Sequence, residues 1–513
     1  MNGISRRSFL KDSALGAAAV ALTGEAAHAA NTSAVEEPAT LSATFRLTRE
    51  LPIEDSFDLV VAGGGAAGTA AAVSAARLGA KVLLAEATGC LGGMGTSGFV
   101  TEFGPMANGE RMLVGGLMRE IVTTLDKRGQ LAPHVTPDFY TKRYHVWTPF
   151  HIEGYKLLLD ELVVSAGVDM RFFTRVVEAD VDPATRTVRG VILHNVEGMR
   201  YIRARAFVDA TGDAVMADLC GAHCREAGRD TPNINPATLC SLVGGIDWKR
   251  ARADASAGNP NPDNPANQQA LVEKAIAEGH FPTRDPHVPG MYQVDNNLAT
   301  LNIGHVFHMN ALRCRSLSDG IMQGRRQVPG FVEFYRQYVP GCEKIELGTT
   351  APLLGVRESR RIVGEYELNF NDYISQRHFP DQIGVYNRPC DVHEYDDSPE
   401  EYERFKKQYE LTGRLKPGES FGIPYGILVP QGWHNLWVAG RCNSSDIKVA
   451  GAVRSQPASS MMGQAAGTAA VQSIRTGQPA CDLDTAQLVE SLRKTDAYLP
   501  QEALSRRMTR ATA

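Results

Sequence analysis

The sequence predicts an α/β protein: a parallel nucleotide-binding sheet assembled from two separated stretches of chain, with an α+β segment inserted between them. Three observations carry this. A β-branched apolar run, Phe57 to Ala62, leads into the glycine loop Gly63-Gly64-Gly65-Ala66-Ala67-Gly68 and a small-residue helical stretch. A second apolar run, Val82 to Ala85, ends on Glu86. Far downstream, NLWVAGRCNSSDIKVAGAVRSQPASSMMGQAAGTAA (Asn435 to Ala470) reads as strand, loop and another small-residue helix, with Pro457 at its first turn.

The N-terminus is set aside from the fold. SRRSFLK (Ser5 to Lys11) is a twin-arginine pattern, followed by the apolar run Ser13 to Gly24 and an Ala27-His28-Ala29 cleavage site. Residues 1–29 are therefore expected to be a signal peptide recognised by the twin-arginine translocase, which carries folded proteins, giving a periplasmic or secreted enzyme. The run is too short and too rich in Ala and Gly for a stable membrane anchor. The competing reading is a charged start followed by a surface helix.

With 513 residues the chain exceeds one simple core. Hydrophobic residues at 43% and charged residues at 22% are those of an ordinary globular protein, and a net charge of −5 argues against nucleic acid as a partner. Nine cysteines contain no C-x-x-C pair, and Cys220 with Cys224 makes no zinc pattern, so no metal site is expected. One or two disulfides or a set of buried thiols both fit an exported protein.

In the glycine loop each position has a task. Gly63 makes the tight turn, Gly65 lets a pyrophosphate approach the backbone, and Gly68 lets helix and strand pack closely. The helix starting at Ala66-Ala67 presents unpaired N–H groups to the phosphates. Glu86 accepts hydrogen bonds from the adenosine ribose and repels a 2′-phosphate. A second cluster follows at once, Gly92, Gly93, Gly95 and Gly98, in the loop holding Ala87 and Met94. Such a cluster suits backbone lying along a ribityl chain and a flat ring, which points to FAD rather than a nicotinamide. A plain glycine-rich surface loop is the alternative.

Several segments resemble the bacterial FAD-dependent oxidoreductase family related to the glutathione reductase and fumarate reductase flavoproteins: LLAEATGCLGGMGTSG, RARAFVDATGDAVMADLCGA (Arg203 to Ala222), LLGVRESRRIVGEYELNFND (Leu353 to Asp372) and the Asn435–Ala470 stretch. The resemblance runs from about residue 56 to 480. It implies that Val176 or Val177 meets the adenine through its backbone, that Gly212 and Asp213 lie beside the cofactor, and that Gly440-Arg441 and Gln464 belong to the cofactor-binding segment. It also implies a helix N-terminus, near Ser455, aimed at the flavin pyrimidine edge. Asp213 has a second reading, as N-cap of the following helix. Cys90 and Cys442 lie where flavin attachment is conceivable, though a buried thiol is the simpler reading.

The FAD domain is thus expected over 56–225 plus 428–480, an inserted substrate or cap domain over 226–427, and a helix and tail over 481–513. Within the insertion, Arg357 and Arg361 are expected at i, i+4 on one helical face, a clamp for an oxygen-bearing substrate. A structural pair between Glu358 and Arg361 is the alternative. His305 is a candidate base, or else a hydrogen-bonded core histidine. The expected function is two-electron oxidation of a small polar molecule. A fumarate-reductase-like alkene reductase and a flavoprotein with a lyase or isomerase role stay open. The electron acceptor is unknown.

Overall fold

The structure, a computed structural model, describes residues 45–231, 233–253, 269–286, 290–412 and 414–500. The expected signal peptide lies outside them. The chain divides into two units, Met1–Glu50 and Leu51–Ala513. Of the first, only residues 45–50 are described, as exposed chain without regular structure. Among the described residues no helix is long and apolar enough to cross a membrane.

In the second unit a five-stranded parallel sheet runs in the order Leu436–Val438, Ala206–Asp209, Leu59–Ala62, Val82–Ala85, Asp169–Arg171. Its first strand comes from the far end of the chain. Side chains alternate along these strands, so each strand feeds two cores. Leu59, Val61, Leu84 and Val208 pack with helices on one face, while Val60, Ala62, Leu83 and Phe207 pack against Val176, Val191 and Ile202 of an antiparallel sheet on the other. Burial on both faces is why the strands read as continuous apolar runs rather than alternating ones.

Two helices hold the helical face. The loop helix, Ala66–Arg77, follows the first strand, and the closing helix, Gln456–Thr476, comes from the C-terminal segment. They meet backbone to backbone: a Cβ on Gly463 would sit 1.9 Å from the Ala67 carbonyl oxygen, and one on Gly467 would sit 2.2 Å from that of Ala71.

The segment expected as one insertion divides its packing. Strands Gly290–Gln293, Leu298–Asn302, Ser241–Gly244 and Glu346–Thr350 form an antiparallel sheet covered by the long helix Cys314–Tyr338, with a separate core of Val243, Leu301, Phe331 and Tyr335. The later part, including Leu368, Tyr386, Phe421 and Ile427, packs instead into the main core beside the closing helix. All nine cysteines are free thiols.

Replacing Gly463 with alanine is expected to lower stability by about 1–3 kcal/mol through overpacking, and to release flavin at lower temperature. Thermal unfolding followed by flavin fluorescence checks this, and an unchanged midpoint would contradict the close approach.

Candidate active site

The glycine loop has the geometry its task needs. Gly63 adopts φ +92°, and a Cβ on it would lie 2.5 Å from the Ala210 carbonyl oxygen. A Cβ on Gly68 would lie 1.7 Å from the carbonyl oxygen of Gly63, so helix and strand touch there. At Gly65 a Cβ would meet nothing within 4 Å. The loop helix begins at that point with Gly65 as an N-cap that has no side chain to satisfy the first N–H groups. The Glu86 carboxylate accepts from Gly64 N at 2.5 Å and from Thr88 N and Oγ1 at 2.7 Å. These bonds fix it beside the loop.

The second cluster docks on the first. Gly92 N donates to Gly64 O at 2.9 Å and the two segments form a parallel bridge at Gly65 and Gly92. From the opposite side comes the turn after Ala206–Asp209, where Arg441 Nη2 donates to Asp213 Oδ1 at 2.6 Å and Ser359 Oγ does so at 2.5 Å. The closing helix opens at Ser455, whose side chain makes no capping bond. Gly65, Ala66, Gly93, Met94, Gly212, Asp213, Arg441 and Ser455 all stay partly exposed within otherwise buried surroundings. With the uncapped helix N-termini at Gly65 and Ser455, these positions mark the candidate FAD cleft, an arrangement that suits a dinucleotide carrying a pyrophosphate. Ala87 and Gly440 flank it, and the strand Arg175–Asp182 shifts register between Val176 and Glu178, leaving Val177 as the extra residue of a bulge.

At the closing-helix end the cleft meets a charged seam with the inserted segment. Gln456 Nε2 donates to the carbonyls of Val100 (2.8 Å) and Glu102 (3.3 Å). The Glu102 side chain is buried and accepts from Asn302 Nδ2 at 3.3 Å, while its Oε2 has no partner among the described residues. Burial pushes its carboxyl up to about 8, although the Arg388 guanidinium pulls the other way. Asn387 is buried with neither amide atom bonded, and Arg388 Nε and Gln456 Oε1 are likewise unpartnered. Arg388 Nη2 and Arg454 Nη2 both donate to Asp391 Oδ2, at 2.9 and 2.7 Å. Burial alone would raise the Asp391 carboxyl, but Arg388, His393 and Arg454 hold it well below the usual carboxylate range.

Several expectations change here. RESRR is not helical: Arg360–Ile362 is a strand paired with Cys224–Glu226, so Arg357 and Arg361 do not share a helical face. Arg361 is buried, donating to Ser445 O at 3.0 Å and lying 3.6 Å from Glu358, as in the structural-pair alternative but without its helix. Arg357 Nη1 instead donates to Pro236 O and Thr238 Oγ1 at 2.6 and 3.0 Å. Gln464 lies two turns inside the closing helix, where its amide accepts from Leu117 N and donates to Thr495 Oγ1, both at 2.9 Å. That ties helices together. Asp213 caps no helix; Asp209 and Thr211 accept from Ala217 N and Val215 N instead. Cys442 is fully buried and its thiol is raised by that burial, which makes it inert. Cys90 lies 2.9 Å from Ser97 Oγ.

His305 is buried as well, in a cluster the sequence hid. Its Nδ1 lies 2.8 Å from Asp285 Oδ2 and its Nε2 lies 3.1 Å from His393 Nδ1. His305, His393 and Glu394 bring three ligand-type atoms within 4.8 Å of one another. Glu102, Asn387, Arg388, Asp391, His393 and Glu394 belong to no local motif, and only Glu102, close behind the second glycine cluster, carried any positional hint.

The profile of the FAD dependent oxidoreductase family matches residues 58–492. The chain belongs to this family. Its cofactor is FAD, the fold is the Rossmann-like FAD-binding fold, and the protein is an enzyme of flavin redox chemistry. No curated protein matches this FAD-dependent oxidoreductase in sequence. Solved structures similar to it include a geranylgeranyl bacteriochlorophyll reductase-like protein from Thermoplasma acidophilum (14% identity, 86% of this chain and 84% of that chain covered, TM-score 0.41). The flavin-dependent brominase Bmp2 is similar at 12% identity, with 86% and 83% covered and a TM-score of 0.43. So is p-nitrophenol 4-monooxygenase PnpA from Pseudomonas putida DLL-E4, at 11% identity, 88% and 92% covered, TM-score 0.43.

The glycines separate binding from folding. Gly65→Val is expected to fold with a near-parental melting temperature for the apoprotein, yet lose FAD affinity at least about tenfold, because only the phosphate path is filled. Gly68→Val is expected not to fold. Flavin absorbance per protein and circular dichroism distinguish the two.

Proposed function

We propose that this flavoenzyme oxidises a small polar organic molecule by hydride transfer, with Glu102 holding and releasing the substrate proton. The observation that carries the reading is the set of unmet hydrogen-bonding atoms at the seam: Glu102 Oε2, both amide atoms of Asn387, Arg388 Nε and Gln456 Oε1. Buried polar groups without partners cost stability unless something fills the site. A ligand rich in hydroxyl or amine groups supplies both donors and acceptors for them.

Gly65, the loop-helix N-terminus, Glu86, Gly92-Gly93 and the closing-helix N-terminus would hold the FAD. When bound, FAD supplies a two-electron acceptor for the hydride that leaves the substrate carbon. The chain supplies the rest. Asn387 and Arg388 orient the polar substrate, and the Glu102 carboxylate takes the proton of the group being oxidised. Oxygen, a quinone or a small electron-transfer protein then serves as electron acceptor, a choice favoured because the second G-x-G-x-x-G match, Gly93 to Gly98, opens a 3₁₀ turn at Gly93–Gly95 rather than a dinucleotide-binding helix. The twin-arginine pattern in residues 1–29 supports export through the twin-arginine translocase, uptake of FAD before export, and a periplasmic or secreted place of work. The segment resemblances support kinship with the glutathione reductase and fumarate reductase flavoproteins.

An anaerobic titration with pools of sugars, alcohols, amines and hydroxy acids tests the reaction. Bleaching of the oxidised flavin by one pool is the expected result, and a spectrum unchanged by all of them would overturn it. The pH behaviour tests Glu102. Its native carboxyl is raised from 4.5 to about 8, so the folded state binds that proton more tightly than the unfolded chain. Its contribution is full below the unfolded value and is lost as pH rises towards 8. Glu102→Gln should therefore gain on the parent protein over that window, with a limiting slope of about 1.4 kcal/mol per pH unit in denaturant melts. The parent kcat/KM should rise through about pH 8, and the variant should lose that rise together with about 10²–10⁴ in rate.

A further inference from the structure

We propose that the seam takes its substrate as a small carboxylic acid, with the open edge of the Arg357 guanidinium as the carboxylate-binding group. The proposal rests on the seam being the substrate site, as read above, and names the charge of the molecule it takes.

The observation that carries it is how Arg357 spends its donors. A guanidinium donates only, so each N–H needs an acceptor. Arg357 gives Nη1 to two neutral groups, the Pro236 carbonyl at 2.6 Å and Thr238 Oγ1 at 3.0 Å. Among the described residues its Nε and Nη2 have no partner, and no carboxylate forms an ion pair with it. Those two nitrogens share one edge of the guanidinium plane, where their N–H bonds match the two oxygens of a carboxylate. Arg171 shows the same edge in use, with Nε and Nη2 donating to the two Asp169 oxygens at 3.1 and 3.3 Å. Arg357 is half-buried, and burial pulls it below the usual arginine range, so leaving this cation unpaired is costly.

The neighbouring groups cannot supply the missing charge. Arg388 and Arg454 already share Asp391 Oδ2, and Arg388 Nε is itself a buried orphan. Burial and the Arg388, Arg357 and Arg441 cations pull Arg454 down to about 9, against the opposing pull of Asp391. Asp391, Glu394 and Asp285 favour the Arg357 charge from farther off without pairing with it. Glu102, pushed up to about 8, is neutral below that pH and adds no counter-charge. An anionic ligand satisfies the open edge and the cation together.

The position of Arg357 suits such a role. The preceding carbonyl, Val356 O, accepts from Arg441 Nη1 at 3.1 Å, and Ser359 Oγ donates to Asp213 Oδ1 at 2.5 Å, which ties this segment to the FAD cleft. Towards Glu102 a chain of contacts begins at Thr238. Two residues on, Cys240 Sγ donates to Asn302 Oδ1 at 3.6 Å, and Asn302 Nδ2 donates to Glu102 Oε1 at 3.3 Å. The fitting substrates are short acids that carry their oxidisable hydroxyl or amine beside the carboxylate.

The test uses oxidised, flavin-loaded, full-length protein and matched probes, acetate with acetamide and glycolate with glycolamide, in calorimetric titrations. The acids should bind at least about tenfold more tightly than their amides, and Arg357→Gln should lose about 10–100-fold in acid affinity with flavin content unchanged. Equal binding of acid and amide, or no binding of either acid, would overturn the proposal, as would parental acid affinity in the variant. Should Arg357→Gln lose its flavin, Arg357→Lys decides, because it keeps the charge without the paired edge. A flavin-loaded lysine variant with acid affinity lowered about tenfold supports the proposal; parental affinity, or loss of flavin here too, refutes it. The oxidation reading fails separately. If acids bind through Arg357 while no pool bleaches the flavin, the carboxylate site stands and the oxidation falls. If neutral alcohols or sugars bleach the flavin while neither acid binds, the carboxylate site falls and the oxidation stands.

Discussion

The close approach of the loop helix and the closing helix is the constraint on which the molecule depends. Ala67 and Ala71 carbonyls touch the backbone of Gly463 and Gly467, so the two helices sit at a fixed offset along their axes. That offset sets both N-termini at the rim of one cleft, Gly65 beside the second glycine cluster and Ser455 at the far end. Any larger side chain at the contact would separate the helices and pull the two positive ends apart. The small-residue composition of both helices is therefore a positional device. It converts the absence of side chains into the spacing of two charges.

The second theme is where polarity is buried. The parallel sheet is apolar along most of its strands, with Asp209 buried at the end of one, while the seam with the inserted segment concentrates Glu102, Asn387, Arg388, Asp391, His305, His393 and Arg454. Carboxylates and guanidinium groups there hold one another: two arginines share Asp391, whose other oxygen lies 3.3 Å from His393 Nε2. A network of this kind is stiff because moving one member uncovers a buried charge on another. Stiffness around the reacting end complements the loop-built, backbone-lined end that takes the adenine and pyrophosphate.

What could be read from the sequence follows from the range of the interactions. The glycine loop, Glu86 and the closing helix announce themselves within short windows, because turn chemistry, helix starts and strand burial are local. Arg357 and Arg361 depart from the expected helix for the opposite reason. Nothing within RESRR excludes a helix, and its strand forms only by pairing with Cys224–Glu226, more than a hundred residues upstream. Gln464 lies eight residues beyond Gln456, roughly 12 Å along the axis, and its bond to Leu117 of a neighbouring helix has no local signal. His393 and Glu394 sit in a stretch with no periodicity, and their meaning depends on His305 arriving from another strand end. The missed residues share that origin in tertiary contacts.

The placement of Leu436–Val438 beside Ala206–Asp209 has a consequence for how the molecule is made. During synthesis the glycine loop emerges long before the sheet edge Leu436–Val438 and the helix Gln456–Thr476 that complete its cleft. A ribosome-bound fragment lacks one wall of the flavin site until those segments have emerged. Flavin capture therefore waits on that distant stretch. Products truncated before the closing helix would remain colourless, however well their N-terminal strands had formed.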